Sequence, residues 1–230
     1  MKNKQKKINT YNKEIYSLTA IFNFTQDSIN RLTKVFKSSK KLDLREWDFE
    51  RIATPVCSGI HEIILSIAEK GTKFSVNIYV KIKQYINGEL KEYVKMIAHE
   101  GDPKYTPKIL GNIKLIKTNS DYLYIKQFIN NNPKRTILLE KEEIKRAFKF
   151  NGDYENYRDE YNQYVGIPIM CKGNDVISLI EIIAHEDSMI SSNKENLENV
   201  INEYMLPYQF FLLMSYKIER NMKTTIEIIN

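Results

Sequence analysis

The fold is decided by residues 164–185, which read Tyr-Val-Gly-Ile-Pro-Ile-Met-Cys-Lys-Gly-Asn-Asp-Val-Ile-Ser-Leu-Ile-Glu-Ile-Ile-Ala-His. In the first part Val165, Ile167 and Ile169 alternate with Gly166, Pro168 and Met170, and residues 172–175 (Lys-Gly-Asn-Asp) supply turn chemistry. The second part is apolar except for Ser178 and Glu181, as in a strand covered on both faces. This pattern predicts a hairpin of two buried strands. Pro168 cannot donate to a ladder, so it should face an edge or a bulge.

Composition excludes several classes of protein. The chain has 230 residues and 42% hydrophobic content, which favours a packed core over disorder. No apolar stretch approaches the roughly 20 residues of a membrane span, and the basic N-terminus lacks the apolar region of a signal peptide. Cys57 and Cys171 form no CxxC motif. We therefore expect a reduced, cytoplasmic protein.

Both ends of the chain carry an apolar seam with alternating spacings of three and four residues, typical of long helices that pack together. Pro207 should kink the second helix or split it near Leu206. If the chain forms the homodimer that we expect, four such helices would make a bundle. The seam of residues 8–38 contains Tyr11, Ile15, Leu18, Phe22, Thr25, Ile29, Leu32 and Phe36, and the C-terminal one contains Leu197, Ile201, Tyr204, Tyr208, Phe211, Ser215, Ile218 and Met222.

Between the seams, helices and strands occur in a mixed order. We predict a short helix around Trp47, a helix that begins at Thr54-Pro55 and ends at Gly71, and a half-buried strand over 74–83. An Asn87-Gly88 turn leads into a strand over 90–99. Further predictions are a short strand at 113–117, a helix at 121–130, a strand at 136–139, a helical turn at 141–148 and an aromatic helical stripe formed by Tyr154, Tyr157, Tyr161 and Tyr164.

Residues 44–222 resemble a GAF domain, chiefly through the Gly-Ile-Pro-Ile strand, the polar turn, the apolar strand and the long final helix. The resemblance implies an α+β fold with a central antiparallel sheet of five to six strands. It places the N- and C-terminal helices on one face and short helices over the other. Residues 1–43 would form a separate long helix and 223–230 a tail. The Ile177-Ser178 pair departs from the usual Ile-Gly, and the Asn-Lys-Phe-Asp-Glu signature of cyclic-nucleotide binders is absent. PAS-like sensors are the nearest alternative architecture.

The sequence shows no nucleophile–base motif, phosphate-binding loop or zinc motif, so we predict no catalytic residue, metal or cofactor. Ile-Ala-His-Glu ends two predicted strands, at His99 and at His185. A shared metal site is conceivable, but exposed strand-end residues are the favoured interpretation. His61 is interpreted as a packing or surface residue. GAF-type free methionine sulfoxide reductases act through clustered cysteines, and the positions of Cys57 and Cys171 do not suggest such a cluster.

In a GAF-like fold, residues 120–164 would cover a small-molecule pocket. Tyrosines could stack on a flat ligand, while arginines could neutralise an anionic group. The alternative is that the tyrosines only pack the cover onto the sheet. The predicted ligand-binding residues are Tyr124, Arg146, Tyr154, Tyr157, Arg158, Tyr161 and Tyr164.

The leading hypothesis is a non-enzymatic sensor that binds a small ligand or a partner and signals through its terminal helices to a separate protein. A second hypothesis is an interaction protein whose pocket is filled by its own side chains and which acts through coiled-coil dimerisation. A third is nucleic-acid contact by the basic N-terminus. This is the weakest, because nine of the 35 Lys and Arg residues fall within residues 1–40 and the remainder of the chain is nearly neutral.

Overall fold

The structure, a computed structural model, describes residues 49–105, 113–116, 122–129, 136–147, 161–171 and 175–229. The predicted N-terminal helix, the helix around Trp47, and Tyr154, Tyr157 and Arg158 lie outside these ranges. The chain divides into two compact units, one of residues 1–67 and 200–230 and the other of residues 68–199. Each is described by itself below.

Residues 68–199 contain a six-stranded sheet in the order β3-β2-β1-β6-β5-β4, and every neighbouring pair is antiparallel. This confirms the predicted α+β class and the antiparallel sheet. The strands are β1 (Phe74–Ile86), β2 (Glu89–Gly101), β3 (Ile113–Leu115), β4 (Ile137–Glu140), β5 (Tyr161–Met170) and β6 (Val176–His185).

The predicted central hairpin is β5 and β6, which pair from Tyr161↔His185 to Met170↔Val176. All residues of β6 are buried, as its apolar sequence requires. In the register of β4 with β5, the last pair toward Pro168 is Ile137↔Gly166. Pro168 pairs with Leu179 of β6, and the expectation that its N–H side faces an edge or a bulge stays a prediction.

The hairpin of β1 and β2 turns at Asn87 and Gly88, whose φ angles of 53° and 80° are those of a type I′ turn. The predicted Asn-Gly turn is therefore confirmed. Ile78 pairs with Ala98 and Tyr79 with Met96, so Ile97 is an extra residue in β2. The prediction of a half-buried β1 is wrong, because burial extends over both faces from Phe74 to Lys81.

Two short helices, α2 (Leu123–Ile129) and α3 (Lys141–Ala147), pack on the same face of the sheet, hereafter the covered face. Tyr124, Ile125 and Phe128 of α2 pack against side chains of β1, β2 and β6. Ile144 of α3 packs against Tyr164 of β5 and its neighbours. The cover of short helices that the GAF resemblance implies is therefore present. The opposite face is buried as well, with Val76, Ile78, Val165, Ile167, Ile180 and Ile182 at 0% exposure.

The other unit contains α1 (Phe49–Ile67) and α5 (Leu206–Ile229), which pack against each other. The Phe49 ring meets the Tyr216 ring edge-on at 6.0 Å, and the Phe49 N–H donates to Glu219 at 3.1 Å. The prediction that a helix begins at Thr54 is wrong, because α1 already includes Phe49 and continues through Pro55. Buried apolar side chains on both sides of Pro55 offset the lost backbone hydrogen bond.

The end of α1 also differs from the prediction. The helix ends at Ile67, and Gly71, with a φ of 90°, lies in the turn that leads into β1. At the other end of the chain, α4 (Lys194–Tyr204) and α5 are separated at Met205, as Pro207 predicts. Within the described ranges, no helix combines the length and apolarity that crossing a membrane requires.

Several side chains of the C-terminal seam are already buried within a single chain. Leu197 and Ile201 are buried on α4, and Tyr208 is fully buried on α5, where its ring lies against Gly59 of α1. Tyr204 and Phe211 are half-buried. Packing of this seam against the N-terminal seam, and a dimer formed through both, remain predictions.

Candidate functional site

A row of polar side chains lies on the covered face of the sheet. Side chains alternate between the two faces of a strand, and the strand register shows which of them share a face. By this rule the face against which α2 and α3 pack also carries Ser75, Asn77, His99, Glu181 and His185. All except His99 are at most 3% exposed. Buried polar groups are costly unless they are hydrogen-bonded, so each needs an account of its partners.

Glu181 occupies the middle of this row, directly opposite Asn77 of β1 and Gly166 of β5. Its Oε2 accepts hydrogen bonds from Asn77 Nδ2 and from the Tyr79 hydroxyl, both at 2.9 Å. Burial raises the pKa of the Glu181 carboxyl, although the hydrogen bonds from Asn77 and Tyr79 oppose this shift. The charge is therefore disfavoured, and the donors around it limit the cost.

Asn77 extends the network toward β2. Because its amide nitrogen donates to Glu181, its Oδ1 must accept from His99 Nδ1, which lies 2.8 Å away. The Nδ1 of His99 therefore carries a proton. Side chains of three strands thus form one chain of hydrogen bonds, His99–Asn77–Glu181, across the middle of the sheet.

His185 ends β6 and is 2% exposed. Its Nε2 lies 2.8 Å from Ser75 Oγ, the Tyr105 ring stacks on it at 3.9 Å, and the Tyr161 ring meets it edge-on at 5.7 Å. Among the described residues, none lies within hydrogen-bonding distance of its buried Nδ1. Burial, reinforced by His99, lowers the pKa of His185 to about 4. The imidazole is therefore neutral at physiological pH.

This arrangement corrects the expectation of exposed strand-end histidines, which is wrong for His185. The side chain is buried because β6 is covered over its whole length and because Tyr105 lies flat on the ring. His99 and His185 are not on adjacent strands, since β2 and β6 lie on either side of β1. Within the described ranges, no group of three or more His, Cys, Asp or Glu side chains is placed to hold a metal ion.

Tyr105 is held over His185 by an ion-pair cluster. Its hydroxyl bonds to Glu186, which follows His185 with a φ of 57°. Glu186 also accepts from Lys104 at 2.6 Å and from Lys73 at 2.5 Å. The hydrogen bonds from Lys104, Lys73 and Tyr105 lower the pKa of Glu186 to about 2. Lys73 and Lys104 therefore both form ion pairs with the Glu186 carboxylate.

The predicted ligand-binding residues fall in different environments. Tyr164 is fully buried on β5, where its ring lies over Gly166. Tyr124 is buried on α2 and stacks on Tyr79 at 4.6 Å. Tyr161 is half-buried beside His185, and Arg146 is exposed on α3.

The expected helical stripe is wrong for Tyr161 and Tyr164, because both belong to β5. Asn162 is an extra residue between the pairs Tyr161↔His185 and Gln163↔Ala184. This bulge lets Tyr161 face the same side as Tyr164 although the two are three residues apart. The spacing of three thus arose from a bulged strand and not from a helix turn.

Sequence reasoning missed Ser75 and Asn77, because they lie on the polar face of a strand that was predicted to be half-buried. It also missed Glu181, which was noted only as an interruption of an apolar strand. One signal was available: Glu181 is the only charged residue between Val176 and Ala184. An ionisable residue in a run that is otherwise buried on both faces indicates a specific buried partner.

No protein-family model and no curated protein matches this chain. Among solved structures, a GAF domain/HD domain protein from Geobacter sulfurreducens matches with a TM-score of 0.50 and 8% identity, over 76% of this chain and 97% of that one. The chain has a GAF-like fold.

Two further structures extend the comparison. The phycoerythrobilin-bound GAF domain of a cyanobacterial phytochrome matches with a TM-score of 0.49 and 14% identity, over 90% of this chain and 96% of that one. A type II free methionine-R-sulfoxide reductase from Thermoplasma acidophilum matches with a TM-score of 0.43 and 17% identity, over 73% of this chain and 95% of that one.

Proposed function

We propose that this chain is a non-enzymatic regulatory module that binds a small ligand on the covered face of its GAF-like sheet. The ligand-binding residues proposed from the sequence, Tyr124, Arg146, Tyr161 and Tyr164 among those described, all lie on α2, α3 or β5, around that face. Binding would bias the packing of the terminal helices, which would pass the change to a separate partner.

The observation that carries this proposal is the buried polar row. A sheet face that served only for packing would be filled by apolar side chains, which bury without the cost of desolvating polar groups. This face instead holds a carboxyl group with a raised pKa and a neutral imidazole with a pKa of about 4. Convergent polar groups with perturbed pKa values on an otherwise apolar surface are typical of ligand sites.

The non-enzymatic part of the proposal rests on the Ser75–His185 pair. Its 2.8 Å separation would suit a nucleophile and its general base. However, both side chains are buried, and among the described residues none orients His185 through Nδ1. A pKa of about 4 also makes this imidazole a weak base near neutral pH. The hydrogen bond from this pair is thus better suited to fixing the orientation of the His185 imidazole than to catalysis.

A second candidate function is an interaction protein whose ligand space is closed by its own side chains. The stacking of Tyr124 on Tyr79 favours it, since these two rings fill the face beneath α2. The two hydrogen bonds that Glu181 accepts inside the protein favour it as well. In this alternative the chain would act through dimerisation of its helices.

Native mass spectrometry of the full-length protein separates the two candidates. A small molecule retained by the wild type and lost on Tyr161→Ala, with the melting temperature little changed, supports the ligand-binding module. The matched control is Tyr85→Ala, since Tyr85 lies on β1 and is 78% exposed. A wild-type protein of chain mass alone, together with a Tyr161→Ala variant that only melts earlier, would favour the interaction protein.

A further inference from the structure

The atom that the fold leaves without a partner is Nδ1 of His185. It is buried, and within the described part of the chain no donor or acceptor reaches it. A buried N–H without an acceptor costs more than a buried lone pair without a donor, so the proton of the neutral ring belongs on Nε2. Ser75 Oγ, 2.8 Å away, then accepts from Nε2. Nδ1 is left as a bare acceptor.

The surroundings of this acceptor disfavour anions. The two nearby lysines, Lys73 and Lys104, are already bound to Glu186. The ring itself stays neutral, and the neighbouring row contains the Glu181 carboxyl. The groups that flank the imidazole are the Tyr105 ring, nearly parallel to it at 3°, and the edge-on Tyr161 ring. Such surroundings suit a flat, uncharged ring system.

We infer that His185 Nδ1 accepts a hydrogen bond from the N–H of a flat, neutral heteroaromatic ligand that packs against Tyr161. This inference deepens the proposed ligand-binding function and rests on it. Tyr161 is half-buried, whereas Tyr105 is buried and fixed through Glu186, so the ligand approaches His185 from the Tyr161 side. Ser75 is a positioning residue, because it fixes the tautomer that leaves Nδ1 free to accept.

The test uses indole as the probe and 1-methylindole as its matched control, since the two share a flat ring and only indole has an N–H donor. In the full-length protein labelled with ¹⁵N-histidine, the Nδ1 signal of His185 should be that of a bare acceptor and should move upfield as indole is added. 1-Methylindole should bind roughly fivefold more weakly, the factor expected for one neutral hydrogen bond, and should leave the Nδ1 shift unchanged. His61, on α1, serves as the internal reference.

Variants sharpen the result. In His185→Phe, whose ring is flat but has no nitrogen acceptor, indole and 1-methylindole should bind equally. An Nδ1 signal that is already that of a hydrogen-bonded acceptor in the ligand-free protein overturns the inference, as does an equal response, or none, to the two probes. A ligand found by native mass spectrometry whose removal leaves the His185 signals unmoved would overturn this inference while leaving the proposed function intact. Absence of both a retained ligand and an indole response would overturn both.

Discussion

Tyr105 lies flat on His185, with ring centroids 3.9 Å apart and planes 3° from parallel. Two segments far apart in sequence produce this contact: the turn after β2 and the end of β6. The stack shields one face of the imidazole from water, and burial is the largest cause of its lowered pKa. The contact thus links the position of Tyr105 to the protonation state of His185.

The first prediction concerns stability in acid. The pKa of His185 falls from 6.5 to about 4 on folding, so the folded chain binds fewer protons than the unfolded chain between these values. The stability that depends on neutral His185 is fully present above pH 6.5 and is lost as the pH falls toward 4. The free energy of unfolding should fall by at most about 3 kcal/mol over this range. Urea unfolding at pH 7 and pH 5 should show a smaller loss for His185→Gln than for the wild type. Equal losses of stability in the wild type and in His185→Gln would contradict the prediction.

A second prediction separates the two roles of Tyr105. Tyr105→Phe keeps the ring on His185 and removes only the hydroxyl, which donates to Glu186 and accepts from Lys104 at 3.4 Å. Both contacts are partly buried, so their loss should cost about 1 kcal/mol. Tyr105→Leu removes the stack, should cost about 2–3 kcal/mol, and should move the pKa of His185 back toward its ordinary value. NMR titration of the His185 ring measures that pKa. A Phe variant that shifts the pKa as much as the Leu variant does would show that the hydroxyl, and not the stack, controls it.

The sheet was predictable because its signals are local. The alternation from Phe74, the Asn87-Gly88 turn and the apolar run after Asp175 each depend on a few neighbouring residues. The break in the C-terminal helix near Pro207 follows from the ring's missing N–H, and it lies where it was expected.

The candidate site was harder to predict, because it depends on register and burial. Asn77 meets Glu181 only because β1 pairs with β6 in one register, 104 residues apart in sequence. The polar positions of β1 appear solvent-facing from alternation alone, since periodicity cannot show that Ser75 and Asn77 are buried. The bulge at Asn162 likewise disguised a strand as a helical spacing.

A third prediction concerns Glu181. Glu181→Gln retains an oxygen that can accept from Asn77 and Tyr79, so the free energy of unfolding should change by less than about 1 kcal/mol near pH 5. Because burial raises the carboxyl pKa, the wild-type Glu181 becomes less favourable as the pH rises, and the Gln variant should gain relative to it at pH 8. Glu181→Leu leaves the Asn77 and Tyr79 donors without an acceptor, so it should lower the free energy of unfolding by about 2–4 kcal/mol at either pH. Chemical denaturation at the two pH values measures these differences, and a Gln variant that loses stability relative to wild type at pH 8 would reverse the assigned direction of the pKa shift.

The last prediction concerns Gly166, which lies beneath the ring of Tyr164. A Cβ at this position would meet Tyr164 Cε1 at 2.9 Å and the hydroxyl oxygen at 3.0 Å. Tyr164 is fully buried and packs against Ile144 and Ile183, so its ring cannot move aside. Gly166→Ala should therefore destabilise the protein by about 1–3 kcal/mol through overpacking. A double-mutant cycle with Tyr164→Leu isolates the cause: if the ring creates the clash, the cost of Gly166→Ala should fall by more than half in the Leu background. A cost that is the same in both backgrounds would assign the effect to the strand backbone, and Tyr164 would no longer explain why β5 carries a glycine opposite Glu181.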